Sequence, residues 1–148
     1  MTYWDTSYLA KLYLREAGTD AVLRAFADQG DFACGEHGRL ELMATFRRNQ
    51  REGILTAAQL KMIWAKHEQD VTEGLIHYLP LPSQLIKDAC ATLTRLPPTV
   101  LLRAADALHL ACAADAGLKA IYSHDRHLLA AAPHFGLKGI DLISSASL

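Results

Sequence analysis

At 148 residues the chain is long enough for one domain with a substantial core and short for two. Hydrophobic residues make up 51% of it and mean hydropathy is +0.06, an excess that predicts either an apolar face kept for a partner or a large helical core. The formal net charge of -1 supplies no bulk field to attract nucleic acid, so any grip on phosphate has to be local.

In chain order, Met1 to Trp4 is short, aromatic and β-prone, and it stops at Asp5-Thr6-Ser7, three good helix caps. The spacing of Leu9, Leu12 and Tyr13 predicts a helix to about Arg15, closed by Gly18. A helix over Asp20 to Asp28, a strand over Asp31 to Gly35 and a helix over Glu36 to Glu52 follow. Thr56 and Gln59 form a capping box that opens a helix through about Thr72. Its apolar Leu60, Ile63 and Trp64 suit either the core or a dimer face. Leu75 to Leu79 returns to β character, and Pro82 or Ser83 starts a helix that ends before Pro97-Pro98. An Ala-rich helix over Ala104 to Ala114 stops at Gly117. Ala120 to Ser123 is a strand, Asp125 to Ala132 a short helix, and Gly139 to Ile143 a last strand. Strands alternating with helices predict an α/β fold, a mostly parallel sheet within a single domain over residues 1–148. In such sheets ligand sites form beyond the C-terminal ends of the strands, where Asp5 and Asp125 both fall.

No apolar run approaches the roughly 20 residues that span a bilayer. The start Met1-Thr2-Tyr3-Trp4-Asp5 has no charged segment followed by an apolar one, so no signal peptide is expected. Cys34, Cys90 and Cys112 are far apart and form no C-x-x-C pair, which argues against a zinc site or a disulfide framework. They are expected to be reduced, buried small side chains, consistent with a cytoplasmic protein free of membrane.

Asp106 is the anomaly. It sits in a helix, Ala104-Ala105-Asp106-Ala107-Leu108-His109-Leu110-Ala111, that is apolar nearly all round and therefore expected to be buried. A buried unpaired carboxylate costs several kcal/mol or takes up a proton, so Asp106 needs a cation or a functional site. Asp5, Glu41 and Asp125 sit where they could converge on it. Each has an ordinary explanation: Asp5 and Asp125 as helix caps, Glu41 as a solvated residue on a helix stripe with His37, Thr45 and Arg48. His109, one turn from Asp106, is read as a core histidine or a hydrogen-bond partner of the acids rather than a ligand. His124 and His127 are expected at the surface. The set is rich in oxygen, which suits Mg²⁺ or Mn²⁺ better than zinc. Arg47, Arg48 and Arg51, with Arg39 two turns earlier, are equally explained as a solvated helix end or as phosphate contacts. The chain has no G-x-x-x-x-G-K-[ST] loop, no G-x-G-x-x-G after the first strand and no G-x-S-x-G elbow, which sets aside nucleotide triphosphatases, dinucleotide enzymes and serine hydrolases.

Four segments carry a resemblance: Tyr3-Trp4-Asp5-Thr6-Ser7-Tyr8-Leu9-Ala10-Lys11-Leu12-Tyr13, Arg39-Leu40-Glu41-Leu42-Met43-Ala44, Arg103-Ala104-Ala105-Asp106-Ala107-Leu108-His109-Leu110-Ala111 and Tyr122-Ser123-His124-Asp125-Arg126-His127-Leu128. In this order they resemble a PIN-domain ribonuclease, specifically the VapC-type toxins of bacterial toxin–antitoxin pairs, and Phe135 to Ile140 resembles that family's last turn and strand. The resemblance implies a three-layer fold, a parallel sheet with helices on both faces, and Mg²⁺-dependent cleavage of RNA at an edge where Asp5, Glu41, Asp106 and Asp125 meet. It makes Asp5 and Asp106 direct metal ligands, Asp125 a ligand directly or through water, and Glu41 the group that orients or deprotonates the attacking water. Thr6 and Ser123 match positions where the family often has a hydroxyl. It further implies a small antitoxin as partner and a homodimer. A PIN nuclease of RNA processing or DNA repair without an antitoxin, and a non-catalytic module on the same fold, are the alternatives.

Overall fold

A computed structural model describes residues 1–145; residues 146–148, the end of the expected single domain, lie outside the described residues. The strands are β1 (Thr2–Trp4), β2 (Phe32–Gly35), β3 (Ile76–Leu79), β4 (Ala120–Tyr122) and β5 (Lys138–Ile140). Between and after them run the helices α1 (Thr6–Ala10), α2 (Thr19–Gln29), α3 (Glu36–Arg51), α4 (Ala57–Thr72), α5 (Ser83–Arg95), α6 (Ala104–Asp115), α7 (Arg126–Ala131) and α8 (Leu142–Ser145), with a 3₁₀ turn over Ala132–Phe135. The strands form one parallel sheet in the order β3-β2-β1-β4-β5.

Successive strand residues point to opposite faces, and the sheet is covered on both. Tyr3, Ala33 and Ile121 enter the core shared with α5, α6 and α7, where Leu85, Ala89, Leu110, Ala113 and Leu128 are buried. Trp4, Phe32, Cys34 and Ile76 enter the core shared with α1 to α4, which buries Tyr8, Val22, Leu42 and Phe46. Trp4 stacks on Phe32 with ring centroids 4.4 Å apart. Leu60, Ile63 and Trp64 of α4 are partly buried against this second core, while Met62 on the same helix is 71% exposed. No helix among the described residues is long and apolar enough to cross a membrane.

Three expectations are corrected. The first helix ends at Ala10, not near Arg15, because the next turns tighten: Lys11, Leu12 and Tyr13 amides bond the carbonyls three residues back. The last strand ends at Ile140, not Ile143. Asp141 Oδ1 accepts the Ile143 and Ser144 amides at 2.9 and 3.2 Å, a cap that turns the chain into α8. Cys34 and Cys112 are buried, but Cys90 is exposed, because α5 buries the stripe through Leu85 and Ala89 and turns Cys90 outward. All three are free thiols.

The sheet has β1 at its centre. The chain leaves β1 for β2 on one side and later returns to β4 on the other, so the C-terminal ends of β1 and β4 flank the point where strand order reverses. There the Asp5 amide donates to the Tyr122 carbonyl at 3.1 Å.

Candidate active site

Asp5 and Asp125 each begin a helix at that reversal point, and each uses its carboxylate twice. Asp5 is the N-cap of α1: Oδ1 accepts from the Tyr8 amide (3.1 Å) and the Ser7 hydroxyl (2.6 Å). Its Oδ2 accepts from the buried Ser123 hydroxyl at 2.6 Å. Burial pushes the Asp5 carboxyl above its ordinary pKa, against the opposing pull of His109, Ser123, Ser7 and the Tyr8 amide. Asp125 is the N-cap of α7: Oδ1 accepts from the His127 (2.8 Å) and Leu128 (3.1 Å) amides, which leaves Oδ2 turned away from the helix. Ser123 links the two acids, since its Oγ also accepts from the Asp125 amide at 2.9 Å. Capping and site-building are thus one act at both positions.

Glu41 comes from α3, which lies close on β2 and α1 because residue 38 has no side chain. A Cβ on Gly38 would run into Cys34 Sγ and come within 3.1 Å of Thr6 Oγ1. One turn later Glu41 Oε2 accepts from Thr6 Oγ1 at 2.7 Å and from His109 Nε2 at 2.8 Å. His109 Nδ1 lies 2.8 Å from the Tyr3 hydroxyl, which also accepts from the Gly35 amide at 2.7 Å. Burial opposes a charged His109, but the Cys34 sulfur and the Glu41 carboxylate outweigh it and push its pKa up to about 10. In turn, although burial works against it, the His109 bond and charge and the Thr6 hydroxyl hold Glu41 down at about 2. His37 Nε2 lies 3.2 Å from the Ala105 carbonyl, and burial and the positive charge of His109 push His37 down to about 4.

Asp106 lies in the first turn of α6, not mid-helix, so its carboxylate reaches the mouth of the site beside the positive end of the helix. Its partner is Arg103. Arg103 Nε donates to Asp106 Oδ2 and Arg103 Nη2 to Asp125 Oδ2, both at 2.9 Å. The buried acid that the sequence leaves without a counter-charge is paired to a cation three residues away.

Asp5, Glu41, Asp106 and Asp125 line one cavity of about 330 Å³, with Thr6, Ser7, Glu16, Thr45, Arg48, Arg103 and His109. The stripe through Glu41, Thr45 and Arg48 faces this cavity. Of the arginine cluster, Arg48 reaches it; Arg47 bonds Gln50, and Arg39 pairs with Glu36 and Glu68 and lies over the Tyr78 ring. His124 is half exposed and bonds Asp141 at 3.0 Å. Two lining residues were not singled out in the sequence. Glu16, held by Lys11 Nζ at 2.6 Å, gave no signal there. Arg103 offered one, as the basic residue immediately before a helix whose acid lacked a partner.

The donor oxygens fit a hard divalent cation. Through two different nitrogens Arg103 already holds one positive charge between Asp106 and Asp125, so both acids are set against a cation in this site. Among the described residues, His37, Glu41 and His109 are the one group of three candidate ligands whose atoms gather within 4.8 Å; Asp5, Asp106 and Asp125 do not. Mg²⁺ keeps several waters and takes one or two carboxylates, so it does not require all three within one tight cage. His109, by contrast, already engages Glu41 and Tyr3 through its two nitrogens.

The model of the PIN domain family matches residues 2–133 of the chain. No curated protein sequence matches it significantly. Among solved structures, VapC20 of Mycobacterium tuberculosis, described as a sarcin-ricin loop cleaving toxin, matches with a TM-score of 0.70 and 19% identity, over 88% of this chain and 95% of that one. FitAB bound to an IR36 DNA fragment matches with a TM-score of 0.71 and 14% identity, over 97% of this chain and 96% of that one. At such identities the likeness speaks for the fold.

Proposed function

The chain belongs to the PIN-domain family, and from that premise we propose that it is a Mg²⁺- or Mn²⁺-dependent endoribonuclease, a single-domain cytoplasmic toxin of a toxin–antitoxin pair. The observation that carries this reading is the meeting of Asp5, Glu41, Asp106 and Asp125, from four separate elements, on one cavity at the reversal point of the sheet. VapC20, by its description a sarcin-ricin loop cleaving toxin, has the same fold and supports the reading of a toxin that cleaves.

Asp5 and Asp106 would hold the cation, with Asp125 binding it directly or through water. The bound ion supplies Lewis acidity, which acidifies water and offsets charge on the phosphate. Ser7, Ser123 and the Tyr8 amide orient Asp5, and the α7 amides orient Asp125, so neither acid has to be ordered as the substrate arrives. Glu41, held ionised at about 2 by His109 and Thr6, is a weak base; its electrostatics favour orienting the attacking water by accepting a hydrogen bond over removing a proton. Arg48 is the local cation expected to meet the RNA backbone. The antitoxin would cover the acidic cavity. Leu40 of α3 and Met62 of α4, 74% and 71% exposed, offer apolar surface for that partner or for a homodimer.

Purified protein and the Asp106→Asn variant, incubated with a mixed cellular RNA pool in Mg²⁺ or Mn²⁺ and in EDTA, test the proposal. Discrete fragments are expected from the wild type with metal alone, and none from Asp106→Asn, whose thermal melt should remain cooperative. Metal-independent fragments, or wild-type cleavage by Asp106→Asn, would reject it.

A further inference from the structure

Arg103 occupies the N-cap of α6, yet its side chain makes no capping bond. N-caps are ordinarily Ser, Thr, Asp or Asn, and a cation there meets the positive end of the helix dipole. What the arginine gives the helix is a pair with Asp106 three residues on, not a cap. Its guanidinium spans two acids from different elements, Asp106 of α6 and Asp125 at the head of α7, through Nε and Nη2. The side chain is 76% exposed, against 12% for Asp106 and 27% for Asp125, so little besides those two bonds holds it.

Resting on the nuclease reading above, we propose that Arg103 is a phosphate-binding residue held in reserve by Asp106 and Asp125, and that a divalent cation at those acids releases it to the RNA backbone. The guanidinium is exposed and its pair with Asp125 is screened by solvent, so a doubly charged ion competes for the same carboxylates. Once displaced, the guanidinium stays tethered at the cavity rim. Its planar donors match two phosphate oxygens at once, which a lysine could not do. The cavity needs such a group: five carboxylates, from Asp5, Glu16, Glu41, Asp106 and Asp125, line it with Arg48 as the other arginine. Arg103 would therefore oppose metal loading in the free protein and favour RNA in the loaded one.

The test is Arg103→Gln, with Arg103→Lys beside it, in two binding assays on the full chain. Titration of RNA-free protein with Mn²⁺, followed by calorimetry, should give roughly three- to ten-fold tighter binding for Arg103→Gln. Binding of a single-stranded RNA oligonucleotide in Ca²⁺, followed by fluorescence anisotropy, should weaken. Its dependence of log K on log salt should flatten by about 0.7, one phosphate contact. Arg103→Lys should keep the salt slope while losing part of the affinity, because the charge remains and the fork is gone. Mn²⁺ affinity unchanged or weaker in Arg103→Gln, or RNA affinity unchanged in Ca²⁺, overturns the role of Arg103 and leaves the nuclease reading intact. Absence of Mn²⁺ binding in wild type and variants alike overturns both.

Discussion

His109 shows how one buried side chain organises others. It is 2% exposed, yet both of its nitrogens have partners, Tyr3 inside the sheet and Glu41 at the cavity. Its pKa rises from the ordinary 6.5 to about 10 on folding, so the folded chain keeps a proton that the unfolded chain gives up near 6.5. Such a group stabilises fully below its unfolded pKa, and its contribution is lost as pH rises through its folded one. Urea denaturation at pH 6, 8 and 10 should therefore show wild-type stability falling across that window relative to His109→Gln. Parallel curves for the two proteins would exclude a charged His109. Glu41 has the opposite sign: depressed to about 2, its contribution is present above about 4.5 and lost only as pH falls toward 2, outside the range of any cleavage assay.

At the scale of elements, the site depends on how closely α3 approaches its neighbours. Gly38 faces Cys34 of β2, Thr6 of α1 and His109 of α6, and Glu41 lies one turn further along the same helix. Gly38→Ala would put a methyl group into that junction, where overpacking costs about 1–3 kcal/mol. Relief by an outward shift of α3 lengthens the Thr6–Glu41 and His109–Glu41 bonds of 2.7 and 2.8 Å. The expected result is a lower denaturation midpoint together with cleavage lost out of proportion to the folded fraction. A destabilised variant with full specific activity would mean that Glu41 tolerates the displacement. The caps of α1 and α7 make the same connection from the other side, because the residues that start these helices are also the acids of the cavity.

At the scale of the molecule, strand order gathers like charges at one place. Four of the five carboxylates lining the cavity are already paired within the chain, Asp106 and Asp125 with Arg103, Glu41 with His109 and Glu16 with Lys11, so a divalent ion has to compete for them but gains a ready set of oxygens. A ligand that binds the folded chain alone shifts the equilibrium by about 2.7 kcal/mol at 100 times its dissociation constant. For a chain of this length that corresponds to a rise in Tm of roughly 5–10 °C. Thermal melts in Mn²⁺ against EDTA should show that rise for the wild type and a much smaller one for Asp106→Asn. Equal shifts in both would mean that the ion binds elsewhere.

Much of this was legible in the order of residues. The strand over Asp31 to Gly35 holds β2 and Thr56 with Gln59 marks the start of α4, whereas Glu41, on its stripe with Thr45 and Arg48, reads by itself as a solvated residue and only packing turns that stripe to the cavity. Asp106 stood out because an apolar helix cannot hide a bare carboxylate. These signals are local: they depend on neighbours within about one helical turn or two strand positions. Other features depend on crossovers that return distant segments to β1. The Arg103 fork on Asp125 spans 22 residues, the His109 bond to Glu41 spans 68, and the Ser123 bond to Asp5 spans 118. The stop of α1 at Ala10 and the placing of Glu16 at the cavity also lie beyond local pattern. Hydrophobic periodicity specifies which face of an element turns inward, whereas hydrogen bonds and charge pairs form only between the side chains that packing brings into reach, and that choice belongs to the tertiary structure.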